Sequence, residues 1–267
     1  STKVLINHGL TPQEIFFYRF LIAYLGIWVI SPKRLFTNNW QDELWLVAGG
    51  IFGGSLYFFT ENTALGITQA SNVSFIICTA PLLTTILSLL FYKSEKASKG
   101  LIYGSLLALM GVGLIVFNGS FVLKISPIGD LLTLLAALSW AFYSLIIKKM
   151  AGRYPTIFIT RKIFFYGVLT ILPAFLLHPL HPDTVVLLHP AVLFNLLFLA
   201  VLASLICYVL WNVVLKQLGT VRASNYIYLN PLVTMIASFL ILDEKITLVA
   251  LGGAACIVCG VYWAEKK

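Results

Sequence analysis

The sequence predicts an all-helical integral membrane protein, a bundle of two inverted five-helix repeats. Three observations lead there. Of 267 residues, 60% are hydrophobic and 10% are charged, against roughly 25% charged in soluble domains, so 18 basic and 10 acidic side chains cannot make a water-facing surface. The apolar residues fall into nine continuous runs, most of them near the length of about 20 residues that crosses a bilayer as a helix, without the alternation of a membrane barrel. The second half of the chain also repeats the pattern of the first.

The runs cover residues 12–30, 44–66, 70–92, 99–118, 128–150, 155–177, 191–217, 222–242 and 247–264, each bounded by charges, Pro, Gly or Asn. The first opens on Pro12, which suits an initial helical turn, and carries Arg19. The second holds Gly49-Gly50 and Gly53-Gly54, which permit another helix to come close. The third and eighth contain Pro81 and Pro231, each removing an amide and freeing a carbonyl four residues earlier, at Ile77 and Ile227. The fourth and ninth start at Ser98 and Thr247, which read as N-caps. Ser1–His8 resembles the end of a further span, so ten spans are expected, with the first represented by a stub.

The duplication is explicit. LGITQASN at 65–72 matches LGTVRASN at 218–225, and the offsets are 153 for Asn72 to Asn225, 150 for Pro81 to Pro231 and 149 for Glu95 to Glu244. Pro12 to Pro155 and Arg19 to Lys162 both give 143. The expected repeats are 1–122 and 123–267. Five spans per repeat is an odd number, so the second copy enters the membrane from the opposite side. Charge agrees with this. Lys33, Arg34, Lys93, Lys96, Lys99, Lys148, Lys149, Arg153, Lys216, Arg222, Lys266 and Lys267 fall on one side, and only Lys124 and Lys245 on the other. The positive-inside rule then puts both termini in the cytoplasm of a multi-pass protein of the cell membrane. Trp28, Trp40, Trp45 and Trp263 sit at the ends on that same side, as an interfacial belt does. The net charge of +8 is accounted for by topology, so no nucleic-acid partner is expected.

This pattern resembles the drug/metabolite transporter superfamily, in its form with two EamA-type repeats. The residues that carry the resemblance are Pro12 with Arg19, Ala70-Ser71-Asn72 before Pro81, Glu95 with Ser98, and the second set Ala223-Ser224-Asn225, Pro231, Glu244 and Thr247. The resemblance implies ten helices in two inverted halves around a central cavity built largely by spans 3, 4, 8 and 9 with 1 and 6. It also implies export or exchange of small metabolites such as amino acids by alternating access.

The residues themselves suggest where such a solute would bind. Glu61 in span 3 and Arg19 in span 2 lie at matching depth. Ionisable groups inside a span mark function by default, although a buried structural ion pair between the two is the alternative. Tyr57 shares the face of Glu61, Asn72 that of Thr79, and Asn225 that of Tyr228. Trp140, Tyr143 and Ser144 cluster in span 6, and Tyr208, Trp211 and Asn212 in span 8, with Asn230 beside Pro231. Core packing is the plain reading of each aromatic, but together they outline a weakly charged pocket for amphipathic or zwitterionic solutes. Pro81 and Pro231 are candidate hinges.

Cys78, Cys207, Cys256 and Cys259 lie in apolar runs and read as core residues. His178, His181, Asp183 and His189 read as a wet loop, so no metal is expected, nor a cofactor. No phosphate-binding Gly-x-x-x-x-Gly-Lys loop is present, which argues against ATP hydrolysis by the chain. The expectation is a secondary transporter that works as a monomer in the bilayer. The competing class is a membrane enzyme acting on a lipid-linked substrate, which would need a nucleophile with its base, or clustered carboxylates, near one interface.

Overall fold

The computed structural model describes residues 1–32, 36–92, 98–117, 126–177, 179–180, 184–242 and 247–266. All regular structure among them is helical. The helices are α1 (Thr2–Asn7), α2 (Pro12–Ile30), α3 (Trp40–Gly50), α4 (Leu56–Ile67), α5 (Ala70–Ile77), α6 (Ala80–Phe91), α7 (Lys99–Phe117) and α8 (Pro127–Ala151). They continue with α9 (Thr156–Ile171), α10 (Ala174–Leu177), α11 (Thr184–Leu188), α12 (Pro190–Leu197), α13 (Cys207–Leu218), α14 (Thr220–Asn225), α15 (Asn230–Leu242) and α16 (Leu248–Glu265).

Among the described residues, seven helical stretches are long and apolar enough to cross a membrane. The two other expected spans are also helical but interrupted. Residues 40–67 run through a π-helical turn at Ile51–Ser55, and 220–242 through a 3-10 turn at Tyr226–Leu229. Local chemistry sets the ends. Thr11 and Glu14 form a reciprocal cap at the start of α2, with Pro12 in its first turn, satisfying amides that have no partner within the helix. Asn39 Oδ1 accepts from the Asp42 amide at 2.7 Å to start α3. Thr247 caps α16 as expected.

The chain forms two compact units, and neither is a sequence repeat. Unit 1 comprises residues 1–66 and 142–217, and unit 2 residues 67–141 and 218–267. Each therefore takes helices from both halves of the duplication. In lipid there is no hydrophobic drive between helices, so small faces that let backbones meet select the partners. In unit 2 these faces come from different halves. Gly104 and Gly111 of α7 lie directly on Gly260 and Gly253 of the antiparallel α16, and a Cβ on Gly111 would stand 2.5 Å from the Gly253 carbonyl. In unit 1 the Gly49–Gly54 stretch meets α8 and α9: a Cβ on Gly50 would lie 2.5 Å from that of Tyr166, and Gly53 faces the Tyr143 ring.

The duplication extends to the irregularities. A second π-helical stretch, Phe198–Ile206, joins α12 to α13. Its middle, Leu202, stands 149 residues after Gly53, the middle of the first, which is also the offset of Glu95 to Glu244. In unit 2 the helix breaks at Cys78–Thr79 ahead of Pro81, and Tyr226–Leu229 precedes Pro231. The Thr79 hydroxyl donates to the Ile76 carbonyl at 2.7 Å in the first break. Cys78 is in the core of unit 2 with Ala108, Val112, Tyr228 and Ile257. The expectation of buried thiols holds only there, because Cys207 and Cys259 are exposed and Cys256 half-buried.

Asp42 ties the start of α3 to the connection between α8 and α9. It takes Arg153 Nη1 at 2.6 Å and the Tyr154 hydroxyl at 2.8 Å. Burial pushes its carboxyl up, but the Tyr154 hydroxyl, Arg153 and the Asn39 amide outweigh that and hold it below its ordinary value of 3.8. A carboxylate depressed on folding stabilises the fold above its unfolded pKa, and the contribution is lost as pH falls through the folded value. Asp42→Asn is therefore expected to lower the melting temperature at pH 7 by about 2–4 °C. The difference from wild type should shrink below pH 3.8, and a melting series across pH checks it.

Candidate functional site

The interior of unit 1 is aromatic with a cation at its centre. Arg19 of α2 is 4% exposed. Its Nε donates to Ser204 Oγ in the second π-helical stretch at 2.8 Å, and its guanidinium lies over the Phe58 ring at 4.2 Å. Helix α2 packs on that stretch and on α9, which places Arg19 inside the protein rather than against lipid. A buried arginine over an aromatic face gains cation–π attraction that partly offsets its desolvation.

Glu61 sits half-buried on α4 and accepts the Tyr57 hydroxyl at 3.2 Å, one helical turn away. Its charge acts on that of Arg19. Among the described residues the two nevertheless make no direct ion pair. Unit 1 thus holds a guanidinium and a carboxylate of opposite charge that act on each other, without a salt bridge between them among the described residues. That geometry suits a ligand with charges of both signs.

The aromatic wall is fixed by hydrogen bonds. The Tyr208 hydroxyl donates to the Gly53 carbonyl in the first π-helical turn. Phe20, Phe58, Tyr143 and Phe164 surround the Tyr208 ring with centroids 5.0–6.4 Å apart along the chain of contacts. Tyr143 donates to Asn212 Oδ1 at 2.7 Å, and Asn212 Nδ2 donates to Thr160 Oγ1 at 2.9 Å. Asn212 is thereby used at both ends, so Tyr143 and Asn212 brace the wall. Ser144 is fully buried and Trp211 half-buried in the same unit.

The remaining expected residues lie in unit 2. Asn72, Asn225 and Tyr228 are buried, Thr79 and Trp140 half-buried, Pro81 and Pro231 buried, and Asn230 exposed. Asn225 Oδ1 accepts from Ser105 at 3.5 Å. The structure thus brings together Arg19, Tyr57, Glu61, Tyr143, Tyr208 and Asn212, and separately Asn225 with Tyr228.

Sequence reasoning missed a second charged cluster in unit 1. Lys162 of α9, the repeat counterpart of Arg19, pairs with Glu43 at the start of α3, and Tyr166 donates to the same carboxylate. Thr37 Oγ1 also reaches Glu43 at 2.7 Å. One helical run, 40–67, therefore carries a carboxylate near each end, Glu43 and Glu61, each within reach of one of two repeat-related cations. Phe58 and Ser204 were missed as well, since an unremarkable Phe and Ser gain meaning only beside Arg19.

Lys33, Arg34, Lys93, Glu95, Lys96, Lys124, His178, His181, Asp183, Asp243, Glu244, Lys245 and Lys267 lie outside the described residues. His189 stacks near His8 with centroids 5.2 Å apart, and among the described residues no group of three metal-ligating side chains occurs.

Comparison with known proteins agrees with this architecture. The profile of the EamA-like transporter family matches twice, over residues 2–117 and 127–264. An uncharacterized transporter of Archaeoglobus fulgidus is 30% identical over 97% of this chain and 89% of its own length. A "probable amino-acid metabolite efflux pump" of Escherichia coli is 23% identical over 96% and 86%. One solved crystal structure superposes with a TM-score of 0.79 at 18% identity, covering 98% of this chain and 90% of that one, which shows the shared fold.

Proposed function

The chain belongs to the EamA-like transporter family, a membrane transport protein rather than an enzyme, and from that premise we propose that it exports small zwitterionic metabolites, amino acids among them. The observation that carries this reading is the separated pair of charges in unit 1. Arg19 is held by Ser204 and Phe58, its guanidinium is the anchor this reading gives a solute carboxylate, and Glu61, whose charge acts on Arg19, is the anchor it gives the ammonium group. Tyr57, Phe58 and Tyr208 supply apolar wall for the side chain between the two groups. The name of the Escherichia coli relative supports the substrate class.

Movement is by alternating access with both termini cytoplasmic, and the inverted repeats 1–122 and 123–267 each lend helices to both compact units. The paired interruptions of equivalent helices, π-helical in spans 3 and 8 and proline-linked in spans 4 and 9, support hinges at those positions. Pro81 and Pro231 are the pivots of the second set. Energy comes from the solute gradient or from protons carried on Glu61.

Inverted vesicles bearing the protein test this with a panel of amino acids and other metabolites, with and without a proton gradient. Accumulation of zwitterionic amino acids above control vesicles is the expected result. Transport of none of them, alongside movement of a purely anionic or cationic solute, overturns the assignment of Arg19 and Glu61 as paired anchors.

A further inference from the structure

Unit 2 holds a cavity of about 290 Å³ where α7 begins and α16 ends. Arg222 and Lys266 line it, with Ser98 and Thr220. Thr220 is 0% exposed, and its hydroxyl has no hydrogen-bond partner among the described residues. Glu265 lines the same wall, and its Oε1 is likewise buried and unpartnered. A hydroxyl and a carboxylate oxygen left unpaired out of water each cost free energy that a ligand would recover.

The start of α7 and the end of α16 both border the cavity. Ser98 caps α7, its Oγ accepting from the Leu101 amide at 3.0 Å. The last turn of the antiparallel α16 lies so near that a Cβ on Gly100 would stand 2.9 Å from the Trp263 carbonyl. A helix start carries partial positive charge and a helix end partial negative charge. The cavity donors for an anion are Arg222, the hydroxyls of Ser98 and Thr220, and Lys266, which follows Glu265 at the end of α16. The acceptor for a cation is the Glu265 carboxylate in the last turn of α16.

We propose that this cavity binds a phosphoethanolamine group, with its phosphate on Arg222, Lys266, Ser98 and Thr220 and its ammonium on Glu265. Arginine and hydroxyl donors match phosphate oxygens, and a primary ammonium has the N–H groups that the unpaired Glu265 oxygen lacks. The group reaches the site either as a phospholipid headgroup or as a soluble phosphoethanolamine.

The test is thermal melting of the full chain in detergent, followed by tryptophan fluorescence. Phosphatidylethanolamine, phosphatidylcholine and phosphatidylglycerol of equal acyl chains are titrated, and soluble phosphoethanolamine separately. A ligand that binds only the folded state raises the melting temperature. Phosphatidylethanolamine is expected to raise it most, because the choline cation has no N–H for Glu265 and the glycerol headgroup has no cation. Arg222→Gln should raise the half-saturating concentration about tenfold, and Glu265→Gln should bring phosphatidylethanolamine down to the level of phosphatidylglycerol. Saturation by the soluble compound at concentrations comparable to the lipid assigns the site to a soluble ligand of the same chemistry, and response to the lipid alone assigns it to the membrane. Equal stabilisation by all three lipids, or unchanged discrimination in Glu265→Gln, overturns the proposal.

Discussion

Replacing Glu61 by Gln is expected to leave the chain folded and to cut solute transport about 10- to 100-fold, the worth of one charge-assisted hydrogen bond in a dry site. The substitution keeps the shape of the side chain and its contact with Tyr57, and it removes only the charge that faces Arg19. Arg19→Gln should lower transport at least as much, since it loses the cation, the bond to Ser204 and the contact with Phe58 together. Because Arg19 is buried, its loss also threatens folding, and size-exclusion profiles must accompany its transport rates. If Glu61 carries protons, transport by Glu61→Gln is flat across pH while the wild type responds; if the solute ammonium is its only partner, both profiles have the same shape at different heights.

The largest effect on stability is expected at Gly104. A side chain there meets backbone of α16 at Gly260 and Ala264 rather than a yielding side chain. Gly104→Leu should abolish recovery of monodisperse protein. Gly104→Ala should cost about 1–3 kcal/mol, the range for overpacking a close contact. Gly252→Ala, on the same α16 but with nothing within 4 Å of its added Cβ, should melt like wild type. A chain that tolerates Gly104→Leu would show that α7 and α16 do not pack through their glycines.

The same glycines mark what could be read from the sequence alone. Gly104 to Gly253 and Gly111 to Gly260 both stand 149 residues apart, the offset of Glu95 to Glu244, so the sequence marks them as matched positions, and their role follows from having no side chain. Their pairing across the two halves was not visible, because repeat spacing does not say which faces meet. The π-helical turns were hidden for a similar reason. An i→i+5 turn depends on what presses against it, here Tyr143 on Gly53 and Arg19 on Ser204. Arg19, Tyr57 and Glu61 were legible because charge is rare inside a span. Glu43 was not, since a carboxylate at the start of an apolar run looks like an ordinary helix-end residue until Lys162 and Tyr166 are seen around it. Asn212 and Tyr143 were legible as inward-facing polar groups, but only the structure shows them hydrogen-bonded to each other.

Equilibrium binding of a transported amino acid to the purified protein tests most directly whether the charges of unit 1 hold the solute. Wild type, Glu61→Gln and the unit 2 variant Asn225→Ala are compared at one pH. Binding weakened about tenfold or more by Glu61→Gln and kept by Asn225→Ala is the expected result. Wild-type affinity in Glu61→Gln, with binding lost in Asn225→Ala, would contradict it and move the solute to the other unit.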